Sequence, residues 1–179
     1  MSIQGIFFYT LRAAIFAAAV CAVYALVCKL RKRKIRWLRL LGIAYLAALI
    51  QITVIRGGAD WARVFAGRRA RPQLVPLRTT LAALRSESWW SFVYHTMGNV
   101  VWFVPLGLML QRRKPWTALL AGAILSACIE LGQYLLMTGM TDIDDIILNA
   151  LGALLGWLLT QLFRSFLPKR RAAAKRLHE

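Results

Sequence analysis

The sequence predicts an all-α fold, a polytopic transmembrane helical bundle with five spans. Three observations predict it. The 179 residues are 59% hydrophobic and only 17% charged, whereas a soluble domain of this size ordinarily carries more charge. The apolar residues fall in blocks that approach or exceed the roughly 20 residues needed to cross the hydrocarbon core. Dense basic clusters separate several of the blocks, as positive-inside topology requires. A single domain over residues 1–167 with a basic tail over 168–179 accounts for the length. The formal net charge of +17 also suits a nucleic-acid binder, but such a protein has no use for several membrane-length apolar runs. No nucleic-acid partner is therefore expected; membrane lipids are.

The first span covers Ile6 to Cys28 and is interrupted only by Arg12. It is long and lacks a basic leader, which argues against a cleaved signal peptide. Lys29 to Arg39 follows, with seven basic residues and no acid. The second span, Leu40 to Ile55, is short alone and gains Trp37 and Leu38 at the interface. The connection Arg56 to Trp89 is hydrophilic. Within it, Pro72 and Pro76 bracket an extended piece, Arg71 to Leu77. Arg78 to Leu84 is more helical and suits the membrane surface. The third span is Trp90 to Leu110. Arg112, Arg113 and Lys114 form a tight basic turn before the fourth, Trp116 to Thr138. The turn Gly139 to Asp144 has no basic residue and leads to the fifth span, Asp145 to Leu167. Cys21, Cys28 and Cys128 form no CxxC pair and are expected to be reduced and packed.

The link between spans one and two, the turn between three and four, and the tail therefore share one side. This bias predicts an external N-terminus and a cytoplasmic C-terminus. Seven arginines in the connection 56–89 oppose that orientation, but they are dispersed over a long loop.

Four of the seven acidic residues, Glu130, Asp142, Asp144 and Asp145, gather near the C-terminal end. Glu130 stands inside an apolar run, where an unpaired carboxylate is costly and a functional role is the default reading. Helical rise of about 1.5 Å per residue places Glu130 roughly 12 Å below the outer end of its span and Asn99 roughly 13 Å below Trp90. The same arithmetic puts Arg12, Gln51 and Asn149 about 6–9 Å deep, so all five spans contribute to one polar layer, with Gln133 beside it and the turn residues Asp142, Asp144 and Asp145 at its mouth. Ser126, Glu130 and Gln133 share a helix face, as do Asp145, Asn149, Gly152 and Gly156. The third span aligns His95, Asn99, Phe103 and Gly107, and Pro105 frees a backbone carbonyl or kinks the helix.

Each feature also has a structural reading. Asn99 and Asn149 serve as interhelical hydrogen-bonding groups, and Gly98, Gly107, Gly152 and Gly156 as packing glycines, the last two expected to bring the fifth span against the fourth. An ion pair with Arg12 would account for Glu130, and His95 fits a pore-lining position better than a metal site. Thr141 or Asp142 can cap the fifth helix, whose dipole favours acids in its first turn. Three aspartates exceed capping needs, so Mg²⁺ or Ca²⁺ at the acidic turn stays open; no cofactor is otherwise expected.

At these residues the chain resembles the VanZ-like family of bacterial membrane proteins, named after a teicoplanin-resistance protein. The matching pieces are Gly98-Asn99-Val100-Val101-Trp102-Phe103-Val104-Pro105-Leu106-Gly107, then Ser126, Glu130 and Gln133, then Asp142 to Asn149 with Gly152 and Gly156. Leu74-Val75-Pro76-Leu77 is similar to the family's short proline-containing motif. Coverage runs from about residue 40 to 159. One departure is Met140, where the family usually has arginine; either a nearby arginine such as Arg78 substitutes for it or the function has diverged. The resemblance implies an envelope protein, sometimes linked to glycopeptide resistance. The leading expectation is a protein that binds or handles an envelope lipid, a lipid-linked precursor or a glycopeptide-type antibiotic. Two alternatives stand beside it. One is a membrane enzyme acting on a phosphorylated lipid, with Glu130 as general base, His95 as acid or base, and Asp142, Asp144 and Asp145 as metal ligands. The other is a proton-coupled transporter, weakened by the lack of internal repeats.

Overall fold

The computed structural model describes residues 3–55, 61–67, 71–85 and 89–166. The basic tail 168–179, and Arg56, Arg68 and Arg69 of the long connection, lie outside the described residues. Helix α1 spans Ile3–Leu30, and α2 spans Trp37–Ile50 and continues into a π-helical turn, Gln51–Ile55. Two short helices follow, α3 (Trp61–Phe65) and α4 (Arg78–Arg85). The long helices α5 (Trp89–Met109), α6 (Pro115–Leu136) and α7 (Ile143–Phe166) complete the chain. Among the described residues, five helices are long and apolar enough to cross a membrane. They are all-α and arranged as a polytopic membrane bundle, and their leucines, valines and isoleucines remain widely exposed on the outer face. That is the expected surface for a bundle solvated by lipid, because hydrocarbon offers no hydrophobic penalty against it.

With little hydrophobic drive between the helices, close packing must hold them. Helix α7 supplies most of it, packing on α5 and α6, while α1 lies to the side against α2 and the π turn. The core combines Leu49, Val54, Phe103, Ile129 and Ala153. The seam between α5 and α7 is backbone against backbone. A Cβ at Gly152 would collide with the Val100 carbonyl oxygen, and one at Gly156 with that of Val104. Gly107 answers from α5, lying on the backbone of Ala153 and Trp157. The sequence reading placed Gly152 and Gly156 between the fourth and fifth spans; the structure turns them to the third span instead. The α6–α7 contact uses Gly122 against Ala150 and Ala153. Gly98, expected to pack, meets nothing within 4 Å of an added Cβ.

The helix ends show which connections share a face of the bundle. Helix α1 closes in a Schellman motif: the Arg33 amide donates to the Cys28 carbonyl at 2.8 Å and the Lys32 amide to that of Lys29 at 3.0 Å. The residue between them, Lys32, takes the left-handed conformation with φ 51°. At the same end, the Trp157 indole donates to the Arg113 carbonyl at 2.8 Å and the Gln161 amide to that of Gln111 at 3.0 Å. Leu38 and Leu41 of α2 border the same crevice as Met109 and Gln111. The α1–α2 link, the α5–α6 turn and the end of α7 therefore lie together. The opposite end holds the acidic turn, where the extended piece of the long connection docks. The Gln73 amide donates to the Thr141 carbonyl at 2.8 Å, and the Ile143 amide to that of Gln73 at 3.0 Å. The cysteines are free; Cys28 is buried and Cys21 partly so, but Cys128 faces outward, contrary to the packed state expected.

Gly152→Leu or Gly156→Leu should lower stability by about 1–3 kcal/mol or more, because backbone rather than a movable side chain occupies the space. Thermal unfolding in detergent measures the loss, and a cysteine crosslink between α5 and α7 should weaken with it. Gly98→Ala should keep or raise the melting temperature, since Ala is the better helix former by about 1 kcal/mol.

Candidate functional site

Helix α5 presents Ser91, His95, Gly98, Asn99 and Trp102 along one face, at spacings of three and four residues. The π turn contributes Ile52 and Thr53, α6 contributes Gln133, and α7 contributes Asp145. Together they line a cleft of about 360 Å³ near the acidic-turn end of the bundle. The Asn99 side-chain amide donates to Asp145 Oδ1 at 2.6 Å. His95 Nε2 lies 3.8 Å from the same oxygen, beyond hydrogen-bond distance. It has no hydrogen-bond partner although the atom is buried. Gln133 donates to the Thr53 carbonyl at 3.0 Å, binding α6 to the π turn across the cleft wall. No lysine or arginine stands among the described lining residues.

The other three acids of the cluster are committed to the backbone. Glu130, 3% exposed, accepts the Asp142 amide at 2.9 Å. Asp142 is the residue before α7, and its carboxylate accepts the Asp144 amide at 2.9 Å, an N-cap on the second residue of the helix. Asp144, 0% exposed, accepts the amides of Leu77 and of Thr80, the latter at 2.8 Å. Those two donors belong to the N-terminus of α4, so Asp144 caps a helix remote from it in sequence. Leu77 takes a left-handed φ of 61°, a conformation costly for leucine, and the carboxylate holds its amide there. Pro76 occupies the turn just before it. The expected place for Asp144, at the mouth of the polar layer beside Asp145, is thus corrected: it is sealed beneath the loop.

The remaining candidates divide by burial. Asn149 is buried and donates to the Ser126 hydroxyl at 2.8 Å, joining α7 to α6. Gln51 is buried at the start of the π turn. Arg12 does not join the layer. It is exposed on α1, with its guanidinium 5.5 Å from the Phe8 ring, and α1 packs against α2 and the π turn. The Arg12–Glu130 ion pair considered above therefore gives way to the Asp142 amide as the partner of Glu130. Pro105 borders the crevice at the basic end instead of the cleft. Its missing amide leaves the Val101 carbonyl without a helical donor, and in the same turn the Trp102 carbonyl accepts the Tyr45 hydroxyl at 2.8 Å. Arg78 and Met140 line a separate surface pocket of about 510 Å³ with Arg71 and Gln73. Among the described residues, no three His, Cys, Asp or Glu side chains group as metal ligands; the amide contacts hold Asp142 and Asp144 apart for capping.

A family profile described as VanZ/LLP1 matches residues 42–164. The chain belongs to this family. No curated protein and no solved structure matches it. The VanZ/LLP1 region includes every described residue of the cleft and the whole carboxylate–amide chain, and begins inside α2. Helix α1 and the basic link after it precede the region. Sequence reading missed Ser91 and Thr53 as lining residues. Ser91 stands one turn before His95, so extending that face by four residues would have found it. Thr53 acts through a backbone carbonyl in a π turn, which no side-chain pattern announces.

Asp144→Ala should leave the Leu77 and Thr80 amides unpaired and cost about 1–3 kcal/mol. Hydrogen exchange should accelerate at residues 77–80 and not in α6. Glu130→Gln should retain the Asp142 amide through its side-chain carbonyl and keep most of the stability. Glu130→Leu should lose about 1–3 kcal/mol, read by thermal unfolding.

Proposed function

We propose that this VanZ/LLP1-family membrane protein binds, in the cleft at His95, Asn99 and Asp145, the polar head group of an envelope lipid, a lipid-linked precursor or a glycopeptide-type antibiotic. The observation that carries the reading is the unpartnered His95 Nε2 beside the Asn99–Asp145 pair. One carboxylate, two carboxamides and an imidazole, with no lysine or arginine among the described lining residues, complement hydroxyl- and amine-bearing groups better than phosphate. Trp102 adds an aromatic surface suited to a sugar or an amine. By this reading the protein sits in the bacterial inner membrane with this end outward and the basic end in the cytoplasm; the gathering of the basic connections at one end supports the orientation. A reporter fused after His178 should read cytoplasmic and one inserted near Gly67 external; the opposite pair of readings would invert the assignment.

Gly98 gives a direct test, because an added side chain there enters open space. Gly98→Trp should fill the cleft while retaining the melting temperature. Titration of full-length protein in nanodiscs with a glycosylated lipid-linked precursor, phosphatidylethanolamine and teicoplanin should show binding of at least one, weakened about tenfold or more by Gly98→Trp and by Asp145→Asn, as loss of a charged hydrogen bond implies. Unchanged binding of all three in both well-folded variants would reject the cleft as the site.

A membrane enzyme acting on a phosphorylated lipid is the second reading. The observation favouring it is His95 beside Asp145, with Ser91 one turn away on the same wall. Release of a head group by the wild type, lost in His95→Gln, would transfer the weight to that reading.

A further inference from the structure

We infer that the α1–α2 link, with the crevice beside it, forms a site for an anionic phospholipid of the adjoining leaflet. The basic part of the site lies before the region matched by the family, the crevice borders α5 within it, and both stand at the opposite end from the cleft and are independent of it. A cavity of about 600 Å³ there is lined by Arg31, Arg33, Lys34, Arg36 and Arg39. Tyr24 and Val27 of α1 form the less polar part of its wall. No acidic residue stands among the described lining residues, and the first acid in the sequence is Asp60. Basic residues placed only for topology need proximity to the span end and no particular shape. Here they surround a concavity, and the backbone is held in a defined course around it. The Schellman motif and the left-handed Lys32 turn the chain out of α1. The Cys21 thiol meets the Leu40 carbonyl at 3.8 Å, holding the two helices together below the link.

The adjoining crevice decides between a lipid and a free anion. About 430 Å³ in volume, it runs between α2 and α5, lined by Leu38, Leu41, Pro105, Leu108 and Met109. Arg39 lines both spaces. A phosphate held among the guanidinium groups would thus stand beside an apolar channel suited to an acyl chain. Inorganic phosphate or a soluble polyphosphate uses only the first space. Long basic side chains at membrane interfaces cover apolar surface with the stem and meet phosphate with the head, and Arg39, which borders both spaces, is the residue positioned to do so.

Full-length protein in neutral detergent, titrated with fluorescent phosphatidylglycerol and phosphatidylcholine, tests the assignment. Phosphatidylglycerol should bind about tenfold or more tightly than phosphatidylcholine, as several basic contacts require. The double variant Arg36→Gln/Arg39→Gln should lose about tenfold for phosphatidylglycerol alone. Arg112→Gln/Arg113→Gln removes the same charge from the neighbouring turn and should change it by less than about twofold. Leu108→Trp, which fills the crevice and keeps every basic residue, should weaken phosphatidylglycerol binding as well; it decides the matter if the arginine variant fails to fold. Gly98→Trp should bind the lipid as wild type does. Equal affinity for the two lipids, an equal loss in the Arg112/Arg113 control, or no effect of Leu108→Trp would overturn the proposal. Competition by inorganic pyrophosphate at the lipid's own concentration would also overturn it, in favour of a free-anion site.

Discussion

The fully buried Asp144 carboxylate reaches from the first turn of α7 to two amides at the start of α4. An unpaired charge in that position would be very costly, so the loop must stay where its amides are. The contact anchors the long connection between the second and third spans onto the fifth. It also relies on a chain of similar contacts beneath it: the Asp142 side chain on the Asp144 amide and the Glu130 side chain on the Asp142 amide. Three carboxylates thus organise three backbone segments without a basic residue. The negative charges lie near helix N-termini, α4 and α7, where free amides and the helix dipole favour them.

This arrangement separates two adjacent aspartates by role. Successive helical residues are about 100° apart around the axis. If Asp144 faces the docked loop, Asp145 must turn away from it, and it turns to Asn99 and His95. The anchored loop and the cleft are two sides of one helical turn. Mutations in the acidic cluster should therefore fall in two classes, one that loosens the loop and one that alters the cleft chemistry. The seam of Gly152 and Gly156 acts on the same geometry from farther down α7, because it sets how close the Asp145 face comes to α5.

The two ends of the bundle use charge in opposite ways. At the acidic end, Glu130, Asp142 and Asp144 are buried and individually hydrogen-bonded to backbone. At the basic end, the arginines and lysines of the α1–α2 link are exposed and surround a concavity. Buried charges fix structure since desolvation makes a wrong position expensive, whereas exposed ones remain available to a partner of opposite sign. The same polarity runs through the sequence, where the first acid comes only at residue 60.

The sequence by itself determined the all-α class, the five long apolar helices and the shared end of the basic connections, because these depend on length, hydropathy and charge along the chain. It also marked the carriers of chemistry: His95, Asn99, Glu130 and the aspartates stand out as polar groups in apolar surroundings. Residue-level pairing was decided by tertiary structure. Arg12 and Glu130 share an estimated depth, yet depth is one coordinate and leaves the direction around the helix open; Arg12 faces outward and Glu130 inward. Gly98 and Gly152 are alike in sequence, but one borders open space and the other the backbone of α5. The bridge between Gln73 and Thr141–Ile143 joins segments distant in the chain through main-chain groups, which every residue carries and no pattern of side chains reveals.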